Sequence, residues 1–257
     1  MSAWAQVAAI ARRSIVRTVR QPASFVPPLV FPVALLAVNA GGLRASTSLP
    51  GFPTSSFLAF ALAVPFVQGA LFATMNAGTD LARDIQTGFM NRLSLTALRD
   101  SALLLGLLGG VVVLGLVQAA FYVAVGLAVG VRFESGALGI LVALLFGLVV
   151  ALSFGALGAW LAFRTGSGEA IQALFPALFV FLFISSMNAP RHLIAVDWFR
   201  IAATLNPVSY MIEAVRSLII EGWDWQALGL GFGFVVAIGA VSVVLAAHAL
   251  RTRLTRT

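Results

Sequence analysis

"DLARDIQTGFMNRLSLTALRD", Asp80 to Asp100, gathers Asp80, Arg83, Asp84, Arg92, Arg99 and Asp100 into one short island of a chain that is only 10% charged. The runs on either side, 45–79 and 101–131, carry no charge at all. A helix needs ~20 apolar residues to cross the hydrocarbon core of a bilayer, and both runs exceed that. The island therefore reads as a water-facing connection between two spans. Four more charge-free windows, 21–43, 137–163, 170–190 and 225–250, repeat the pattern. Hydrophobic residues make up 60% of the 257 and the mean hydropathy is +1.01, which no soluble domain composition approaches. The sequence predicts an all-α integral membrane protein, a six-transmembrane-helix bundle forming a single domain over 1–257. None of the runs alternates as barrel strands do. The apolar run after Arg20 is too long for the core of a cleavable signal peptide. It is also broken by Pro22, Pro27, Pro28 and Pro32, so it counts as the first span.

Net charge is +7 and every basic residue is arginine, with no lysine anywhere, a usage that fits a GC-rich bacterial genome. The arginines sit at the ends of apolar runs, which directs them to phospholipid head groups rather than to nucleic acid. With a cytoplasmic N-terminus, Arg12, Arg13, Arg17, Arg20, Arg83, Arg92, Arg99, Arg164, Arg251, Arg253 and Arg256 fall inside. Arg44, Arg132, Arg191, Arg200 and Arg216 fall outside. The excess inside follows the positive-inside rule and predicts a multi-pass protein of the bacterial inner membrane, with both termini and the island cytoplasmic.

Residues 1–20 are too polar to span. Trp4, Val7, Ala8, Ala11, Ile15 and Val19 share one helical face, and Arg13, Arg17 and Arg20 another, which predicts a basic amphipathic helix on the cytoplasmic surface of the membrane. A second irregular segment covers 190–225. There Asn206 caps a helix opened by Pro207. Val208, Met211, Ile212, Val215, Leu218 and Ile219 line its apolar side, and Ser209, Glu213 and Arg216 its polar side. Glu213 and Arg216, three apart, are placed to pair. Trp198, Trp223 and Trp225 suit a membrane–water boundary, so short outer interfacial helices are expected before the last span. Glycines four apart (Gly106/Gly110, Gly126/Gly130, Gly229/Gly233) allow close helix packing.

Catalytic chemistry is sparse. Absence of Cys removes disulfides, thiolate metal sites and cysteine nucleophiles. His192 and His248 fall on opposite sides of the membrane, too far apart for a shared metal or triad. The middle of each predicted span lacks a carboxylate, where a proton-coupled pump places one. A phosphate-binding loop requires a lysine, so an ATP-driven process would need a separate ATPase pressing on this chain from the cytoplasm. The island, with Ile85, Phe89 and Leu93 at helical spacing among mixed charges, suits such a docking surface. On these residues alone, a plain solvated loop is the equal alternative.

Two stretches resemble a known family. "DIQTGFMNRL" with the following "SALLLG" (Asp84, Gly88, Arg92, Ser101, Ala102, Gly106) resembles the cytoplasmic segment of type-2 ABC transporter permeases, of the daunorubicin-resistance type of drug and lipid exporters. "NPVSYMIEAVRSL" (Asn206, Pro207, Tyr210, Arg216) resembles the family's second signature, just before its last helix. The resemblance covers essentially the whole chain. It implies a six-helix permease subunit paired with a second permease, as homodimer or heterodimer, and with two nucleotide-binding ATPase subunits. It implies a coupling helix around Asp84 to Arg99 that enters a cleft of the ATPase, with Asp84, Ile85, Gly88, Phe89, Arg92 and Arg99 as its contact residues. Asn206, Pro207, Tyr210, Glu213 and Arg216 would form the outer interfacial motif. ATP and Mg would sit on the partner, with no cofactor on this chain. Where the family often carries Leu-Pro, then Arg before the Ser-Ala pair and again after the Gly, this chain has Thr96-Ala97, Asp100 and Leu107, with Arg99 one residue early.

The expected function is the transmembrane subunit of an ATP-driven exporter for an amphiphilic, drug-like or lipid-like cargo, not itself an enzyme. Spans rich in Phe, Leu and Val with few intramembrane charges suit such cargo. A secondary transporter or channel without an ATPase, and a non-transport membrane scaffold, are the competing readings.

Overall fold

Prolines and glycines decide where the helices of this chain start, bend and stop. The computed structural model describes residues 3–94 and 100–254, and its regular structure is entirely helical. In chain order the helices are α1 (Ala3–Val19), α2 (Pro22–Gly42), α3 (Phe57–Ala61), α4 (Ala63–Gln86), α5 (Phe89–Ser94), α6 (Asp100–Leu107) and α7 (Gly109–Ala128). They continue with α8 (Gly136–Thr165), α9 (Gly168–Gln172), α10 (Phe175–Phe183), α11 (Asp197–Leu205), α12 (Pro207–Ile220) and α13 (Trp225–Leu254). Four stretches among the described residues are long and apolar enough to cross a membrane: Phe57–Gln86, Leu104–Ala128, Gly136–Thr165 and Trp225–Arg253. Two shorter apolar helices, Val26–Gly42 and Gly168–Phe183, fall within or largely within the remaining charge-free windows.

The breaks have local causes. Pro65 has no N–H to offer the carbonyl of Ala61, and the helix is interrupted at Leu62, between α3 and α4. Pro176 does the same to Gln172, where α9 ends. In α2, Pro32 cannot serve the carbonyl of Pro28, and the Tyr122 hydroxyl of α7 donates to that oxygen instead. A buried tyrosine thus repairs a proline's missing hydrogen bond across two helices.

The Phe57–Gln86 helix is the centre of the bundle: 89% of its most apolar window is buried, against 28% for Trp225–Arg253. It packs against α8 at a site built from small residues. Thr74 Oγ1 donates to its own helix at Ala70 O and across to Phe154 O, both at 3.0 Å. A Cβ on Gly158 would lie 2.2 Å from Thr74 O and 3.1 Å from Gly78 N. Only glycine permits that approach. The chain closes on itself at both ends. At one end Gln86 Nε2 donates to Gly166 O (3.1 Å) and Arg253 Nη1 to Phe163 O (3.0 Å). At the other, the N–H groups of Glu134 and Ser135 donate to Ile219 O and Leu218 O (3.2 Å each), and His192 bonds Gly51 O.

Gly158→Ala should force α4 and α8 apart and cost about 1–3 kcal/mol, as overpacking does elsewhere. Gly229→Ala, where a Cβ meets nothing within 4 Å, is the matched control. Thermal unfolding in detergent should show a lowered midpoint for the first and an unchanged one for the second.

Candidate functional site

The island's first half is the last turn of α4 and a sharp corner. Thr87 turns its hydroxyl back to Arg83 O (2.9 Å) and its N–H to the same carbonyl, and Gly88 follows at φ +70°. A left-handed residue after the last helical turn is the usual helix stop, and glycine adopts it without strain. α5 starts at once, with Arg92 N–H donating to Gly88 O (3.2 Å). Residues 95–99 lie outside the described residues, and Arg99 with them.

Asp84 does not project from this corner. It is buried, 4% exposed, and faces α1. Arg13 sends Nη1 and Nη2 to its two oxygens (2.9 Å each) and Arg17 sends Nη1 to Oδ1 (2.8 Å). Arg17 Nη2 also reaches Asp80, at 2.6 Å. The Arg13 guanidinium lies 3.7 Å from the centroid of the Phe89 ring, a cation–π contact. One carboxylate therefore clasps two arginines, and one of those arginines covers the first residue of α5. The Asp84 hydrogen bonds raise the Arg13 pKa, outweighing the opposite effect of its partial burial. Ile85 is half-buried against the cluster that contains Leu81 and Met90, while Arg92 is exposed.

α1 reaches this position over a glycine floor. A Cβ on Gly106 would sit 2.6 Å from Ile10 Cβ, on Gly109 2.9 Å from Ala11 Cβ, and on Gly110 2.4 Å from Thr18 Oγ1. Ser14 adds a reciprocal pair, donating to Leu107 O and accepting from Gly110 N–H, both at 3.1 Å. The basic side of α1 was expected to face head groups. Arg13 and Arg17 turn inward instead, because carboxylates stand one helical turn apart on α4 to receive them.

The opposite end is organised by the second motif. Asn206 caps α12: its Oδ1 accepts from Val208 N–H (3.0 Å) and its Nδ2 donates to Phe181 O and Ile184 O (2.5 Å each) at the end of α10. Pro207 is the first residue of the helix, and Tyr210 donates its hydroxyl to Thr204 O (2.9 Å). α12 does not rest on a surface with its polar side in water. Ser209, Arg216 and Ser217 are buried along with its apolar residues. The expected Glu213–Arg216 pair is absent from the observed ion pairs. Glu213 binds Arg191 (2.6 Å), whose guanidinium lies over Tyr210 at 4.4 Å. Arg216 sends Nε to Phe60 O (3.1 Å) and Nη2 to Ser186 O (2.9 Å) and Met187 O (3.3 Å), and stacks on the Phe60 ring at 3.5 Å. Carbonyls displaced from regular helix near the α3–α4 break and after α10 offer a buried cation more than one exposed carboxylate does. Burial lowers the Arg216 pKa to about 9 against the pull of Glu213 and Glu221, so the side chain stays charged at neutral pH.

Among the described residues no group of three or more His, Asp or Glu could hold a metal ion. Arg13, Arg17 and Asp80 were not singled out as site residues by sequence. Their signal was present as two matching i,i+4 pairs, Arg13/Arg17 and Asp80/Asp84.

Asp84→Asn should loosen α1. The expected cost is about 1–2 kcal/mol, below that of a fully buried pair, because Arg13 keeps 38% of its side chain exposed. Amide hydrogen exchange of α1 should rise, and Arg13→Lys should not substitute, since lysine lacks the two-pronged geometry. Arg216→Ala strips three carbonyls of a charged donor and should destabilise the bundle by about 3 kcal/mol or more, seen as reduced yield and a lowered unfolding midpoint.

Residues 5–220 match the family model for ABC-2 type transporters. A daunorubicin resistance ABC transporter permease protein from Streptomyces coeruleorubidus is 29% identical over 225 residues, spanning 84% of this chain and 73% of the relative. A transport permease from Porphyra purpurea is 28% identical over 225 residues, 86% of this chain and 76% of the relative. Another from Pyropia yezoensis is 25% identical over 268 aligned positions, 97% of this chain and 90% of the relative. The matched region runs from α1 through the Gly88 corner to the end of α12, and the chain belongs to the ABC-2 type transporter family as a transmembrane permease.

Proposed function

We propose that this chain is the membrane subunit of an ATP-driven exporter that moves amphiphilic or hydrophobic, drug-like or lipid-like molecules, powered by a separate ATPase. The observation that carries the reading is the Gly88 corner, where the exposed Arg92 and the Arg13-covered Phe89 stand at one end of the bundle. A load applied to α5 there is shared with α1 through Arg13, and with α6–α7 through the glycine floor. In this reading the 80–100 segment is the coupling element, with Phe89, Arg92 and Arg99 meeting the ATPase, Gly88 setting the corner, Ile85 seating it and Asp84 fixing it from behind. ATP and Mg belong to the ATPase, and this chain binds no cofactor and no nucleic acid.

Six spans follow if α2 and the broken α9–α10 join the four long ones, since each links the α1 end to the opposite end. The whole of 1–257 is then a single permease domain in a bacterial inner membrane, with both termini cytoplasmic. α1, with Val16 and Val19 exposed, lies on the inner surface. α11, with Trp198, Ile201 and Leu205 exposed, lies at the outer one, as do the exposed Trp223 and Trp225. A second permease, identical or not, completes the membrane part. The drug resistance named in the Streptomyces relative's description supports a drug-like cargo.

The test is reconstitution. The purified chain alone should hydrolyse no ATP. With its ATPase it should support hydrolysis that cargo alters, because coupling between sites is reciprocal in binding free energy. Arg92→Glu should insert normally yet weaken co-purification of the ATPase by about tenfold, as loss of a charged anchor can. Single cysteines replacing Thr87 and Ser48 should label from the inside and the outside, respectively. Cargo flux driven by an ion gradient without any ATPase would overturn the proposal.

A further inference from the structure

An apolar cavity of about 170 Å³, partly open to the outside of the bundle, lies between α4, α8, α10, α12 and α13. Every residue that lines it is apolar, among them Ala70, Leu71, Phe154, Leu178, Phe181 and Met211. Leu71 is fourteen residues beyond Phe57, about 21 Å along a helix at 1.5 Å per residue, which sets the cavity near the middle of the span. Water needs two to four polar partners to occupy such a space, and an apolar cavity of about 150 Å³ in a soluble protein stays dry and takes up benzene or xenon. The cavity's apolar walls forfeit dispersion contacts wherever no apolar group lies against them.

Its boundary has a fixed side and an open side. Pro207 and Val208 line it at the start of α12, held against the end of α10 by Asn206, whose amide binds Phe181 O and Ile184 O. The Phe181 ring lines the cavity while its residue is 57% exposed on the outside of the bundle. Phe181 thus stands where the cavity meets the outside of the bundle.

We infer that this cavity is a binding site for one uncharged apolar group, a single ring or a short stretch of acyl chain, admitted from the bilayer past Phe181. Bilayer lipid and dissolved aromatic compounds can both present such a group. The site needs neither an ATPase nor transport. A chain that binds here but does not export therefore sinks only the exporter reading, and a chain that exports without binding here sinks only this one.

The full chain in phosphatidylcholine vesicles is photolabelled in two arms, one with phosphatidylcholine carrying a diazirine in its acyl chain, the other with a small free aryl diazirine. Labelled positions are then mapped by mass spectrometry. Labelling at Met211 and Leu71, both buried, is expected in at least one arm: the acyl arm identifies a lipid tail, the aryl arm a free ring. Ala70→Leu and Val208→Phe fill the space and should each lower Met211 labelling by about tenfold, equivalent to about 1.4 kcal/mol. Labelling of the outward-facing Val236 and Val244 should not change. Excess benzene should compete at Met211 in the unaltered chain, a readout that requires no variant to fold. Absence of Met211 labelling in both arms, or labelling indifferent to benzene and to both filled variants, overturns the inference.

Discussion

A carboxylate taken out of water must be given cations, and Asp84 is given two. Its position at the last turn of α4 is what brings α1 down onto the bundle, since Arg13 and Arg17 leave the lipid head groups only for a better partner. Once there, α1 lies so close to α6 and α7 that Gly106, Gly109 and Gly110 tolerate no side chain. The same Arg13 covers Phe89 and so fixes the first residue of α5. One buried acid thus joins the amphipathic helix, the central span, the corner and the following span.

The other end follows a related rule with the charges reversed. Arg216 is a buried cation satisfied by backbone carbonyls instead of by a carboxylate, and Asn206 ties α10 to α12 by the same means. Between these two knots the bundle is mostly apolar and closely packed, with Gly158 against Thr74, Tyr122 serving the carbonyl that Pro32 orphans, and a few polar side chains such as Gln68 and Gln118 inside. A permease that must move benefits from such a division. Polar knots keep segments together as units, while the apolar contacts between units slide with little directional preference.

Much of this was legible beforehand. Charge-free windows located the apolar helices, Asn206-Pro207 marked the start of α12, and the island between two spans was evident from Asp80 to Asp100. Partner choice was not. Glu213 and Arg216 are well spaced for a helical pair, yet the α3–α4 break and the loop after α10 offered Arg216 carbonyls that no local spacing reveals. Likewise, Arg13 and Arg17 looked like a head-group face because their acids lie about seventy residues away. Long-range pairing became readable only as matched i,i+4 spacing on two separate helices, and that spacing is common enough by chance to pass unnoticed. Prolines deep in apolar runs gave no hint of who would serve the orphaned carbonyls.

The central claim is that α1 and the α4–α5 corner move as one body because Asp84 holds them. The chain has no cysteine of its own, so spin labels at Ala9 and Thr87, both exposed, report the distance between the two elements directly. Measured by electron–electron double resonance in the chain with its ATPase, with and without ATP, the separation should be a single narrow distribution that ATP leaves unchanged, and Asp84→Asn should broaden it. A distribution that shifts with ATP in the native chain, or one that Asp84→Asn leaves untouched, would contradict the account.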